Sequence, residues 1–141
     1  MAALTASIKV QSRNLAGYKV SSAVVANGVT VYKGALICAD SSSNAILVAD
    51  LGAAGYFLGI AEEEVVGDAI KRVRYSYGHE VLLVCEAGVT YALINKTVYG
   101  MNTGGVTNAS TVGPAVGVLK ELPTASTAWV LLCGAALAAN T

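Results

Sequence analysis

Apolar runs of strand length follow one another along this chain, each closed by glycine or by small polar residues, and no stretch keeps the period of an amphipathic helix. Residues 35–39 and 45–49 are two such runs. Between them Asp40-Ser41-Ser42-Ser43-Asn44 supplies short side chains that can bond their own backbone, so the pair predicts a hairpin. After a loop with Gly52 and Gly55, the run Phe57-Leu58-Gly59-Ile60-Ala61 predicts a further strand. From Ala69 to Tyr77 the pattern alternates, with Val73, Tyr75 and Tyr77 on one face and Arg72 and Arg74 on the other, which predicts one buried and one wet side. Gly78-His79 reads as a tight turn into Glu80-Val81-Leu82-Leu83-Val84-Cys85, a strand covered on both faces, and this hairpin is expected at the centre of the core. Upstream, Tyr18 to Ala26 and Val29 to Tyr32 flank Asn27-Gly28, a signal for a type I′ hairpin turn. Val89 to Asn95 fits a turn of helix or a loop, Trp129 to Cys133 a last buried strand, and Gly134 to Thr141 an Ala-rich tail. Met1 to Gly17 reads as an extended arm with one alternating piece, Ile8-Lys9-Val10, mobile unless something ties it down.

About ten strand candidates with glycine-rich connections place the fold in the all-β class: an antiparallel β-sandwich or barrel, of jelly-roll or tulip-like form, carrying an extended N-terminal arm. The domain organisation is then an arm over 1–17 and a single β domain over 18–141. Within that domain one pattern occurs twice, at about 31–64 and 98–121. Val98-Tyr99-Gly100 answers Val31-Tyr32-Lys33-Gly34, Gly104 to Ser110 answers the polar turn, and Ala115-Val116-Gly117-Val118-Leu119 answers Phe57-Leu58-Gly59-Ile60-Ala61. Such duplication points to a sandwich or barrel more than to an enzyme assembled around one cleft.

Nine basic and nine acidic side chains cancel, which removes the net field that would draw the protein to nucleic acid or to an anionic membrane. Hydrophobic residues make up 55% of the chain and charged ones 13%, against about 25% charged in ordinary globular domains. Part of the apolar excess is expected to meet a partner or another copy, because open sheet edges in so apolar a chain invite pairing. The run from Ala128 to Ala139 is interrupted by Gly134 and falls short of the roughly 20 residues a spanning helix needs. Lys9 follows eight uncharged residues, the wrong order for a secretory signal, so synthesis and residence in a cytoplasm are expected. Cys38, Cys85 and Cys133 sit in apolar runs without a Cys-x-x-Cys pair and read as buried free thiols.

Candidate chemistry is sparse. His79, the single histidine, lies in a turn beside Glu80, with Cys85 farther along an apolar strand, so the Cys–His geometry of a nucleophilic site is not expected. An exposed turn histidine is the plainer reading, and its replacement by alanine should then be tolerated. Glu62, Glu63, Glu64 and Asp68 lack the spacing of a calcium loop and face Lys71, Arg72 and Arg74, their natural charge partners. No glycine-rich phosphate cradle and no Gly-x-Ser-x-Gly elbow is present, so no catalytic residue, metal or cofactor is assigned.

The order of the motifs resembles a family. Val31-Tyr32-Lys33-Gly34-Ala35-Leu36, a polar turn, Phe57-Leu58-Gly59-Ile60-Ala61-Glu62, a charged alternating strand around Val73, Val98-Tyr99, and Ala115-Val116-Gly117-Val118-Leu119 is similar to the small capsid decoration, or cement, proteins of tailed bacteriophages. The likeness covers Val31 to Gly134 and departs in the N-terminal extension, in Ile60 where valine is usual, and in Gly100 directly after Tyr99. It implies a structural virion protein on the outer surface of a capsid, made in the host bacterial cytoplasm, that clamps neighbouring major capsid protein subunits. Self-association as homotrimers, or in some members homodimers, is implied too. The arm is then the expected contact, with Lys9, Arg13, Asn14 and Tyr18 as the capsid-binding candidates because they punctuate it with groups that bond or pack. A second reading, a β-sandwich module recognising glycan or a host surface, requires exposed aromatics, for which Tyr91 and Tyr99 are the candidates. A small hydrolase rests only on His79, Glu80 and the cysteines.

Overall fold

The computed structural model describes residues 8–40, 44–47, 56–101, 105–110 and 114–133. Ser41 to Ser43, the Gly52–Gly55 loop, the C-terminal tail and the first seven residues of the arm lie outside the described residues. The apolar runs form antiparallel strands: β1 (Ser12–Arg13), β2 (Lys19–Val24), β3 (Thr30–Val31), β4 (Leu36–Ala39), β5 (Ala45–Leu47), β6 (Tyr56–Ala61), β7 (Val65–Val66) and β8 (Arg72–Tyr77). They continue with β9 (Glu80–Val84), β10 (Thr97–Gly100), β11 (Val106–Thr107), β12 (Ala115–Thr124) and β13 (Thr127–Leu132). One sheet has the order β2-β8-β6-β4-β5, the other β1-β9-β13-β12-β10-β11, and β3 pairs with β7 in a separate ribbon. The fold is an all-β, sandwich-like arrangement.

Apart from β1, each large sheet is one copy of the same pairing scheme. In both, a central strand is flanked by its hairpin partner on one side and by a third strand on the other: β5-β4-β6 and β11-β10-β12. The third strand pairs with the next, β8 or β13, which pairs with the strand that opened the unit, β2 or β9. The register agrees in detail. Leu36↔Ile60 and Ile37↔Gly59 correspond to Thr97↔Val118 and Val98↔Gly117, and both ladders shift register at the next residue. The Gly34 N–H donates to Ala61 O at 2.9 Å, as the Asn95 N–H does to Leu119 O at 2.7 Å; both residues have positive φ, 90° and 67°. Register therefore sets Gly59 against Gly117, and it sets Val98, Tyr99 and Gly100 against Ile37, Cys38 and Ala39 instead of Val31 to Gly34.

Period-two alternation divides the interior. Leu36 and Cys38 of β4 with Phe57 and Ile60 of β6 join Val81, Leu83, Val98, Val116, Leu119 and Val130 in the cluster shared by the two sheets. Ile37, Ala61, Val73 and Tyr75 point the other way and form a second cluster with Val25 and Val31 of the β3–β7 side. β8 shows the alternation its sequence predicts over its first four residues, with Val73 and Tyr75 buried and Arg72 and Arg74 exposed, but Ser76 on the arginine face is fully buried.

Three local expectations are corrected. Asn27-Gly28 is not a hairpin turn: the Val29 N–H donates to Ala26 O at 3.1 Å and, of the two central residues, only Gly28 has positive φ (82°). That is the pattern of a type II turn, whose twist does not suit a two-stranded hairpin, and the strands part, β2 to β8 and β3 to β7. Gly78-His79 does not join two paired strands either; it carries the chain from one sheet to the other, with the Gly78 N–H on Leu132 O at 2.7 Å. The crossing is close-packed, since a Cβ on Gly17 or on Gly78 would fall on the other's carbonyl oxygen. Finally, β9 is covered along the whole of one face, with Val81 and Leu83 buried, but on the other only toward its start, where Glu80 is buried, Leu82 half-buried and Val84 exposed.

Candidate attachment surface

From residue 8 onward the arm is tied to the domain. The Ile8 N–H donates to Lys33 O at 2.9 Å and Gln11 O accepts from the Leu82 N–H at 3.0 Å, after which β1 pairs Ser12 with Val81 and Arg13 with Glu80. The Arg13 guanidinium lies 4.2 Å over the ring centre of Trp129, with Nε 2.9 Å from Glu80 Oε1 and Nη1 2.7 Å from Glu121 Oε1. Asn14, at φ 53°, donates from Nδ2 to the second oxygen of Glu80. The Glu80 side chain is only 10% exposed, so its charge is supported by two side-chain donors on one side of a largely dry pocket.

The four arm candidates thus separate. Arg13 and Asn14 converge on Glu80 within this same chain, and Tyr18 sets its ring edge-on to His79 at 4.9 Å with its hydroxyl 3.5 Å from Glu62 Oε1. Lys9 is exposed on the strip between the Ile8 and Gln11 anchors.

His79 is not an exposed turn residue: it is 1% exposed, and among the described residues its Nδ1 has no hydrogen-bond partner. The sheet crossing buries it, a consequence of tertiary placement that local sequence does not carry. The expectation that alanine would be tolerated is reversed. His79→Ala should cost about 2 kcal/mol, through the cavity left beneath Tyr18, and should lower the urea midpoint of unfolding correspondingly. An unchanged midpoint would show that the imidazole contributes no packing.

The other candidate chemistry resolves into structure. Glu63 accepts the Arg74 N–H at 2.9 Å and lies 3.5 Å from its guanidinium, while Glu62 accepts from the buried Ser76 hydroxyl. The Asp68 carboxyl is held below the usual carboxylate range by the Lys71 N–H and then by the Ile70 N–H, which it accepts at 2.7 and 2.9 Å. Among the described residues no group of His, Cys, Asp and Glu is placed to hold a metal ion. All three cysteines are free; burial pushes the Cys85 and Cys133 thiols up, and Cys85 Sγ faces Ala125 O at 3.8 Å. Among the described residues no helix is long and apolar enough to cross a membrane.

Two surface features remain. One is a groove of about 370 Å³ lined by Ala87, Val89, Tyr91 and Leu122, with the Tyr91 hydroxyl donating to Leu122 O at 3.3 Å. In the first copy the corresponding stretch is closed by the pairing of β3 with β7. The other is the outer edge of β2. This strand pairs with β8 along one side, and among the described residues the other is covered only at its end, where Ala45 of β5 bridges Val25 and accepts the Ala26 N–H at 3.2 Å. The Val25 N–H donates to Lys71 O at 2.9 Å, so alternation turns the main-chain groups of Val20 and Ser22 toward the open side, while those of Val24 face Ala45. Leu15, Tyr18 and Val20 lead into and along this edge with 56%, 42% and 48% of their surface exposed. Sequence reasoning missed it, because whether a strand is an edge is decided by distant partners.

The described residues thus form an all-β, sandwich-like fold with a tied arm and a partly open edge along β2. Compared with known proteins, the chain matches no family model and no curated protein.

Proposed function

We propose that this protein is a structural virion component, a decoration protein that sits on the outside of a tailed-phage capsid and clamps neighbouring major capsid protein subunits. The observation that carries this reading is the edge of β2, uncovered from Lys19 to Ala23 among the described residues and flanked by exposed apolar side chains. An uncovered strand of that length is a template for another chain. The order of motifs from Val31 to Leu119 supports the capsid as the partner, and copies associating as homotrimers or homodimers would multiply weak contacts through effective concentration. Arg13 and Asn14 are engaged by Glu80, so attachment falls to the β2 edge with Tyr18, and to Lys9 on the arm. The test is the mass of the purified protein in solution, followed by co-sedimentation with undecorated capsids. An oligomer that saturates the shells at a fixed ratio is the expected result, and a monomer that ignores them overturns the reading.

The groove with Tyr91 is the feature that favours the other reading, a glycan- or host-surface-binding module. Its lining offers one aromatic face and few polar side chains, where sugar recognition needs several placed hydrogen-bonding groups.

A further inference from the structure

The second copy of the unit closes its outer sheet edge, and the way it does so shows what the first copy's edge is built to take. Strand pairing makes β9 the counterpart of β2, and β13 that of β8. The Leu82 N–H, turned away from β13, is satisfied by Gln11 O of the arm at 3.0 Å. Its counterpart is Ser22, whose N–H is turned away from β8 in the same manner and has no acceptor among the described residues.

The closing strand and the edge it covers have opposite charge. In the second copy the strand brings Arg13, and the sheet offers Glu80 on the edge strand, Trp129 on the next and Glu121 beyond it. At the first copy's edge the balance is basic, although Glu63 keeps the acidic place of Glu121. Val20 stands where Glu80 stands, Arg74 where Trp129 stands, and Lys19 and Arg72 lie alongside. Arg74 is 65% exposed and touches Glu63 at 3.5 Å, while Arg72 bends back to Ser22, Nε to Oγ at 3.1 Å and Nη2 to the carbonyl oxygen at 3.3 Å. Two guanidiniums therefore flank an unpaired ladder, one of them loosely bonded to a carbonyl that an added strand would claim.

We propose that β2 accepts, as an added strand, an extended acidic segment of a partner protein, with carboxylates on one face directed at Arg72 and Arg74. The main chain of the segment takes the N–H and C=O groups of Val20 and Ser22, the part of the edge that the Val25–Ala45 bridge leaves uncovered. Its carboxylates draw Arg72 off the Ser22 carbonyl and pair with both guanidiniums, so charge selects the segment and the ladder holds it. The inference rests on the reading of this edge as the attachment surface, and it does not require the partner to be a capsid.

The test uses two synthetic probes, acetyl-(Val-Glu)4-amide and acetyl-(Val-Lys)4-amide, with residue-resolved hydrogen exchange on the full chain. The Glu peptide is expected to slow exchange of the Val20 and Ser22 amides by about tenfold or more, and the Lys peptide to leave them unchanged. Ser22→Pro removes an N–H that β8 does not use and should abolish the effect, since proline is tolerated on an edge strand whose N–H faces outward. Arg74→Glu, which leaves the ladder intact, should reverse the preference toward the Lys peptide. Absence of protection by the Glu peptide at millimolar concentration, or equal protection by both peptides, overturns the proposal. Co-sedimentation of wild type and Ser22→Pro with capsids separates it from the functional reading. Protected amides without capsid binding reject the capsid alone, and capsid binding undiminished by Ser22→Pro rejects the edge alone.

Discussion

Gly117→Ala is expected to cost about 3 kcal/mol and to lower Tm by about 10 °C, a large loss for the addition of one methyl group. Gly117 pairs with Leu132 across the β12–β13 ladder, and a Cβ there would fall on the carbonyl oxygen of Leu131, with the Cys133 nitrogen 3.1 Å away. Both obstacles are backbone in the best-buried sheet, so neither can swing aside as a side-chain tip would. The same device occurs in the other copy, where a Cβ on Gly59 would meet Ser76 O, with Tyr75 Cδ2 2.8 Å away. Gly28 makes the control: it has positive φ, 82°, and nothing within 4 Å of its notional Cβ, so Gly28→Ala should cost only about 1 kcal/mol from backbone strain. Urea unfolding of the two variants side by side decides the matter. A Gly117→Ala loss no larger than that of Gly28→Ala would mean that the close approach of β12 and β13 does not constrain the fold.

Glu80→Ala should release the arm at a cost of about 2–3 kcal/mol. The carboxylate collects Arg13 Nε and Asn14 Nδ2 at a site where its own side chain is 10% exposed, so deleting it strands two donors and takes away the main charge that holds β1 on β9. Glu121, 53% exposed, keeps the other end of the guanidinium but is screened by solvent and contributes little alone. The expected signature is local before it is global: the Leu82 amide, bonded to Gln11 O, loses its exchange protection while the amides of β12 stay protected. Glu80→Gln, which keeps an acceptor for one of the two donors and turns its amide N–H toward the other, should keep only part of that protection. If the Leu82 amide in Glu80→Ala exchanges at the wild-type rate, the arm is held by its backbone pairing and not by the cluster.

Much of the architecture was legible in the chain because it is written in local pattern. The hairpin of β4 and β5, the strand β6 and the one-sided burial of β8 follow from alternation and from the polar turn at Asp40, whose carboxylate accepts the Asn44 N–H at 2.9 Å. What failed was long-range. A glycine turn such as Gly78-His79 looks the same whether it joins paired strands or crosses between sheets, and only the Leu132 contact settles which. The duplication also has a clearer sequence trace than the one first apparent: Val24-Val25 and Gly28-Val29-Thr30 recur as Val84-Cys85 and Gly88-Val89-Thr90, matching the β2–β9 correspondence. The candidate site was the least legible part. The arm was readable as an arm, but Glu80, between His79 and the apolar run of β9, gave no sign that it would take up Arg13, and nothing in Lys19 to Val24 marks those residues as an edge.

The crossing at Gly78-His79 is the one covalent link between the two copies, with every strand of one sheet before it and, apart from β1, every strand of the other after it. Cut there, the first fragment would bare Leu36, Phe57 and Ile60, and the second would bare Leu83, Val98 and Val130, so each piece carries the cover the other lacks. The peptide bond between them then serves chiefly to keep complementary halves at high effective concentration. The molecule is in that sense a tethered heterodimer of two related sheets, and β1, encoded with the first and paired to the second, is its clasp.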